Sequence, residues 1–203
     1  MSAHDDSDLE PILGLPKKLQ PGETVVWQGR PGWRSLARHV FKLRWLAFYF
    51  GALIVLRVGI AVANGEGLDG LFSVGLMTLV FAIGLGLVAL LAWLQARATV
   101  YTITTKRIVL RIGVTLSVAW NLPFKRLASA DLVRRNGPDG DIVLRLPAAE
   151  RVRWLYLWPH VEPGRLFRGD PALRGLADPE RVAGRLRDAV ADWAAREEAL
   201  VDA

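Results

Sequence analysis

Two long apolar runs constrain this chain more than any other feature. Trp45 to Ala63 holds nineteen positions with one charge, Arg57, and Gly70 to Leu94 holds twenty-five with none. About 20 apolar residues span the hydrocarbon core of a bilayer as a helix, so each run is long enough to cross. The link between them, "NGEGLD", suffices only for the turn of a helical hairpin.

Charge sets the expected orientation. Arg30, Arg34, Arg38, Lys42 and Arg44 precede the first run, Arg97, Lys106 and Arg107 follow the second, and the turn carries only Glu66 and Asp69. By the positive-inside rule both termini are expected in the cytoplasm, with the hairpin in the cytoplasmic (inner) membrane. The acidic start lacks a basic stretch followed by an apolar one, so it does not read as a cleaved signal peptide, and the first apolar run is expected to do the targeting. Net charge is +6. Much of it flanks the hairpin, where each Lys or Arg gains roughly 1 kcal/mol from an anionic leaflet. Arg34, Arg38, Lys42, Arg44, Lys106 and Arg107 therefore read as membrane-surface residues, the lipid bilayer as a partner, and nucleic acid as excluded. The chain has no Cys, which removes disulfides, thiolate metal sites and Cys nucleophiles.

Three segments follow: an arm (1–44), the hairpin (45–95) and a cytoplasmic domain (96–203). In the arm, Val25 to Trp27 is β-like. After a Gly-Arg-Pro-Gly turn, Trp33, Leu36, Val40 and Leu43 recur at helical spacing. That pattern fits either a helix lying on the membrane surface or a plain extension of the first spanning helix. In the second run Gly75, Ala82 and Gly86 form small-residue spacings that permit close helix packing. Arg57 has two readings, contact with a partner or snorkelling to the interface about 9 Å away.

From Ala98 the period changes. "TVYTIT", "RIVLRIG", "TLSVAWN", "RLASADLV", "DIVLRL" and "WLYLW" are short β-rich runs parted by turn residues, an antiparallel meander of about six strands that Val25 to Trp27 would complete. Pro179 to Leu200 places Val182, Leu186, Ala189, Val190 and Trp193 on one face of a helix. The expected fold is an α+β membrane protein: a two-helix transmembrane hairpin plus a pleckstrin-homology-like antiparallel β-barrel closed by a C-terminal helix.

No nucleophile elbow, Walker loop or metal-spaced His/carboxylate pair is present, so neither an enzyme nor a cofactor is expected. His160, in a Trp-Pro-His turn, reads as a pH-sensitive contact, a pigment ligand or a packed loop residue. The stretch after Trp158 holds Pro159 and Pro163 and cannot continue a ladder. It displays Trp158, His160, Arg165, Phe167 and Arg168, either as a docking strip or as a strap over the domain's own core.

"YTITTKRIVLRIGV" resembles the signature of bacterial pleckstrin-homology-like domains found beside membrane hairpins. "VVWQGRPGWRSLARHVFKLRWLAFYFG" and "LYLWPHVEPGRLFRGDPALRGLAD" resemble the PuhB-type photosynthetic complex assembly proteins of purple bacteria, and the likeness runs from about Leu15 to Trp193. The resemblance implies a non-catalytic factor that helps build the photosynthetic reaction centre and its core light-harvesting antenna, with their polypeptides as partners. A homodimer stays open, and so does the alternative of a general membrane scaffold or lipid-binding pleckstrin-homology-like protein unrelated to photosynthesis. The resemblance supplies no catalytic residues to carry over; the partner-binding candidates, Arg57 with Trp158, His160, Arg165, Phe167 and Arg168, come from their own chemistry, a charge within a span and a connection rich in aromatics and Arg.

Overall fold

In the computed structural model, which describes residues 19–113, 118–135, 137–147, 152–153, 157–162 and 168–201, the apolar runs form helices α2 (Leu43–Asn64) and α3 (Gly67–Ala98). They are apolar on all sides, and large side chains stand uncovered along them: Phe48 is 73% exposed, Val62 76% and Leu68 83%. A helix of a soluble domain hides an apolar stripe and shows a polar one; these two show apolar surface, and each is long and apolar enough to cross a bilayer.

The turn between them is built by its glycines. Gly65 adopts a left-handed φ of 65°, which only a residue without Cβ takes at little cost. The Gly65 N–H then reaches the Val62 carbonyl at 3.2 Å and the Glu66 N–H the Ala61 carbonyl at 3.0 Å, which satisfies the last carbonyls of α2. Before the hairpin, one α-turn (α1, Trp33–Ser35) runs into a π-helical turn, Leu36–Val40. Lys42 then has φ 54°. That break means the basic stretch is not a continuous extension of α2, which removes one of its two sequence readings.

The chain divides into two compact units, residues 33–94 and residues 1–32 with 95–203. The arm read from sequence as one segment is thus split: its strand belongs with the β-rich unit and its basic stretch with the hairpin.

In the β-rich unit, β1 (Val25–Gly29), β2 (Val100–Thr104), β3 (Arg107–Ile112) and β4 (Val118–Pro123) pair antiparallel in that order. A 3-10 turn, Phe124–Arg126, leads to the second sheet, where β5 (Ser129–Arg134), β6 (Gly140–Arg145) and β9 (Ala172–Leu176) lie in the order β5-β6-β9. A two-residue pair, β7 (Val152–Arg153) with β8 (Arg168–Gly169), stands apart. Helix α4 (Pro179–Val201) follows. Val25–Trp27 does complete the first sheet, pairing with β2.

Two expectations are corrected. Among the described residues β4 does not pair with β5, nor β1 with β9, so the domain is two sheets around one core and not a closed barrel. The partner of β6 is β9, drawn from the stretch read as a surface connection; Leu157, read as strand, sits in a helical turn, and 154–156 lie outside the described residues. "ALRGL" has no β-branched residue, so its strand state comes from pairing and burial and not from propensity.

The core joins Tyr101, Ile103 and Leu110 of the first sheet with Ile142, Leu144 and Leu173 of the second. Val182, Leu186 and Ala189 of α4 close over it, as their spacing predicts, and Trp193 meets Phe124 edge to face at 6.1 Å. Pro179 opens α4 with the missing N–H that position tolerates, and the Asp178 carboxylate caps the Arg181 N–H at 3.3 Å.

Candidate functional site

Arg57 has a third fate beyond the two its sequence suggested. Arg57 and Ser73 lie eight residues on either side of Gly65, so an antiparallel hairpin sets them opposite each other. The Arg57 guanidinium donates to Glu66 Oε2 at 2.6 Å and to Ser73 Oγ at 3.0 Å through Nη2, and to Ser73 Oγ at 3.2 Å through Nε. Asn64 Nδ2 steadies the other Glu66 oxygen at 3.1 Å. The span's charge is therefore answered inside the chain, from the connection and from α3. Glu66 and Ser73 were missed in the sequence reading. The signal for them was their distance from the turn, with an acid nine residues after the lone arginine.

Gly75, Ala82 and Gly86 do not pack the hairpin on itself. All three are exposed, and a Cβ built on Gly75 or Gly86 meets nothing within 4 Å. The close approach is at Gly70, where a Cβ would stand 2.8 Å from Glu66 Cβ and 3.0 Å from Ala61 Cβ, and at Phe50 and Phe81, whose rings stack at 4.3 Å. Gly75, Ala82 and Gly86 face outward.

The basic flanks separate into two groups. Arg34, Arg38, Lys42 and Arg44 are exposed. Arg107 is not a membrane-surface residue: it forms a fork on Glu23, at 2.7 and 2.9 Å, and Glu23 is 5% exposed. Burial opposes the Glu23 charge, yet the hydrogen bonds from Arg107 and the Gln20 N–H outweigh it and hold the carboxyl below its ordinary range. Lys106 Nζ donates to the Pro21 carbonyl at 3.0 Å. The turn between β2 and β3 is thus tied to the chain before β1.

His160 leaves the expected docking strip altogether, since its side chain is fully buried. Nδ1 is 2.6 Å from Tyr101 Oη and Nε2 is 3.1 Å from Thr99 Oγ1. Tyr101 Oη accepts the Arg174 N–H at 3.1 Å, and its own proton has two acceptors, His160 Nδ1 and the Arg174 carbonyl at 3.3 Å. The shorter contact favours donation to Nδ1, which leaves the ring proton on Nε2 directed at Thr99. Burial, then the charge of Arg174, pushes the imidazole pKa down to about 3, with Asp141 opposing. The ring is neutral in the cell, and burial drives the Tyr101 phenol far above its ordinary range.

Arg174 extends the network. Nε donates to Asp141 Oδ2 at 3.3 Å and Nη1 to the Pro159 carbonyl at 3.2 Å, while Asp141 Oδ1 accepts the Gly175 N–H at 2.9 Å and Arg135 Nε approaches Oδ2 at 3.1 Å. A second hub is Arg145, which donates to Asp131 at 2.6 Å, Glu162 at 2.7 Å and Asp170 at 3.1 Å. Both hubs fasten the stretch after Leu157 to β6 and β2. In its described parts that stretch is a strap on the domain's own core, with Val161 and Leu173 buried.

Of the other strip residues, Trp158 is 43% exposed and Arg168 lies on β8 opposite Arg153. Arg165 and Phe167 lie outside the described residues. His160, Tyr101, Asp141 and Arg174 are buried, so their chemistry is positional: neutral and paired groups fix backbone.

Comparison with known proteins agrees with this architecture. The family described as "Bacterial PH domain" matches residues 43–190. A Rhodobacter capsulatus protein described as "Uncharacterized 23.7 kDa protein in puhA 5'region" is 36% identical over 192 residues, which are 93% of this chain and 89% of the relative. No solved structure matches the chain.

Proposed function

Because the chain belongs to the bacterial PH domain family, we propose that it carries that domain on a membrane hairpin as a non-enzymatic assembly factor for the photosynthetic reaction centre and core antenna. The observation that carries this is the 36% identity, over 93% of the chain, to a protein described by its place in the puhA 5' region. The resemblance to PuhB-type assembly proteins in two separate segments points the same way.

The geometry suits the role. α2 and α3 present apolar surface that lipid satisfies, and the exposed Arg34, Arg38, Lys42 and Arg44 lie where an anionic cytoplasmic leaflet attracts them. Both termini then lie in the cytoplasm. In lipid, helices associate by packing and interhelical hydrogen bonds, so the outward Gly75, Ala82 and Gly86 offer a face where single-span polypeptides can approach closely. Arg57, already paired within the hairpin, acts by holding that face in place.

The test is the near-infrared absorption of membranes from a strain lacking this protein, grown beside its parent under pigment-inducing conditions. Selective loss of core-antenna or reaction-centre bands, restored by complementation, is expected. An unchanged spectrum overturns the reading.

A further inference from the structure

Where β4 gives way to β5 without pairing to it, the core is left partly uncovered. A groove of about 420 Å³ runs there between β5 and α4, with Leu127, Leu132, Ala183, Leu186 and Val190 in its lining. Leu186 is buried, and the other four pack on the core beneath while staying half-buried themselves. The floor of the groove is thus the outer layer of the core.

The hydrogen-bond register shows which way the backbone of β5 faces. Ile142 of β6 aligns with Leu173 of β9, and the Leu144 N–H donates to the Pro171 carbonyl at 2.8 Å, so these even residues of β6 bond toward β9. Its odd residues therefore bond toward β5: Asp141 to Val133, Val143 to Asp131, Arg145 to Ser129. The Arg135 N–H, on the Asp139 carbonyl at 3.2 Å, keeps the same parity. Ala130, Leu132 and Arg134 are left with N–H and C=O directed away from β6, and among the described residues those groups have no partner. The open edge is about 14 Å long. The same three residues line the groove. β4 also ends a sheet; β5 is singled out by the apolar floor beside its edge.

Charge selects the occupant. Of the charged residues in the lining, Arg134 and Glu180 answer each other at 2.9 Å, and Arg187, exposed on α4, has no countercharge among the described residues. Lys125 and Arg126, both exposed, stand just before Leu127. A second copy of β5 would offer one acid, Asp131, which Arg145 already holds at 2.6 Å. An acyl chain would cover the floor and leave the N–H and C=O groups of the edge unanswered.

We propose that this groove docks an extended segment of a protein partner, which pairs antiparallel with β5 through Ala130, Leu132 and Arg134, lays alternate apolar side chains on the floor and sets a carboxylate at Arg187. The inference deepens the assembly reading, on which the identity of the partner rests. Its test reads binding alone, so either can fail without the other.

The full chain is reconstituted in zwitterionic nanodiscs and titrated with a fluorescent nine-residue peptide that alternates Val and Thr and carries Glu in place of the central Val. Two controls are the same peptide with Lys at the centre and the same peptide N-methylated on its valines. In the proposed pairing a residue whose side chain meets the floor also turns its N–H to β5, so methylation removes those donors. The acidic peptide is expected to bind, and the methylated one about tenfold or more weaker. The Lys peptide should bind severalfold weaker than the Glu peptide, with a gap that narrows as salt rises and closes in Arg187→Glu. Ala130→Pro removes an outward N–H that β6 does not use, at an edge position where proline is tolerated, and should weaken binding at the melting temperature of the parent. If that variant melts early, the methylated peptide decides alone. Equal binding of the methylated and unmethylated peptides, or of the Glu and Lys peptides, overturns the proposal. So does a dimer of the chain in detergent that Ala130→Pro dissociates, which would assign the edge to a second copy.

Discussion

Each unit takes an arginine out of water, and the two solve the problem with different material. Arg174, with a side chain 6% exposed, is answered by Asp141, by the Pro159 carbonyl and, through Asp141, by the Gly175 N–H. Arg57, 24% exposed, is answered by one carboxylate and one hydroxyl, and among the described residues its Nη1 has no hydrogen-bond partner. The difference follows from backbone. Sheets and turns leave carbonyls and N–H groups pointing inward, so a buried charge among them finds donors and acceptors already placed. A helix spends its carbonyls on its own i→i+4 bonds, so a hairpin answers a charge with side chains, and an acid reaches Arg57 only from the connection.

The β-rich network is therefore the place where one deletion costs most. Asp141→Ala strands Arg174 in the core and also releases Arg135 and the Gly175 N–H; breaking a buried pair by removing one partner costs about 3–5 kcal/mol. The expected result is a lowered melting temperature of the β-rich unit, read through tryptophan fluorescence in detergent. A double variant, Asp141→Leu with Arg174→Met, should lose less than Asp141→Ala alone, because no charge is left unpaired. Equal melting of Asp141→Ala and parent would remove the network from the stability of the domain.

The pH dependence of the same unit isolates His160. Its folded pKa, about 3, lies below the ordinary 6.5, so the folded state favours the neutral ring. Stability from this group is fully present above pH 6.5 and is lost as pH falls toward 3, because the unfolded chain takes up a proton the folded one refuses. Melting temperature against pH, compared between parent and His160→Gln, should show a steeper acid-side fall in the parent, by about one proton. Parallel curves would mean that the ring titrates in the folded state.

In the hairpin the sign should depend on which partner is removed. Glu66→Gln leaves Arg57 with amide and hydroxyl acceptors but no countercharge, and should destabilise the helix pair. Arg57→Leu removes the charge itself and should be nearly neutral, with the double variant following Arg57→Leu. Retention of compact mobility as SDS is titrated ranks the three. If Arg57→Leu loses as much as Glu66→Gln, the arginine contributes net stability and the pair is more than a neutralised cost.

What the sequence disclosed divides along the same line. Helices α2 and α3 were legible because lipid-spanning length and uniform apolarity need no tertiary information, and α4 because Val182, Leu186 and Ala189 keep helical period. β9 was not, since Ala172-Leu173-Arg174-Gly175-Leu176 has neither β-branching nor alternation and becomes a strand only beside β6. The burial of His160 was hidden for a related reason: its partners Thr99 and Tyr101 lie about sixty residues away, and only the two-sheet packing brings them together. Arg107 looked like a lipid contact because its partner, Glu23, precedes the entire hairpin.

The smallest effect tests whether the two glycine environments of the hairpin differ as the geometry says. Gly86 has nothing within 4 Å of a built Cβ, whereas Gly70 faces Glu66 and Ala61 at 2.8 and 3.0 Å. Gly86→Ala should stabilise the helix pair by up to about 1 kcal/mol through helix propensity alone. Gly70→Ala should forfeit that gain, because the neighbouring Cβ atoms must move and the Glu66 carboxylate moves with them, away from Arg57. Gly70→Ala in the Arg57→Leu background should then cost less than in the parent, since no ion pair is left to disturb. Equal penalties in both backgrounds would show that Gly70 matters for the approach of α2 to α3 and not for the placement of Glu66.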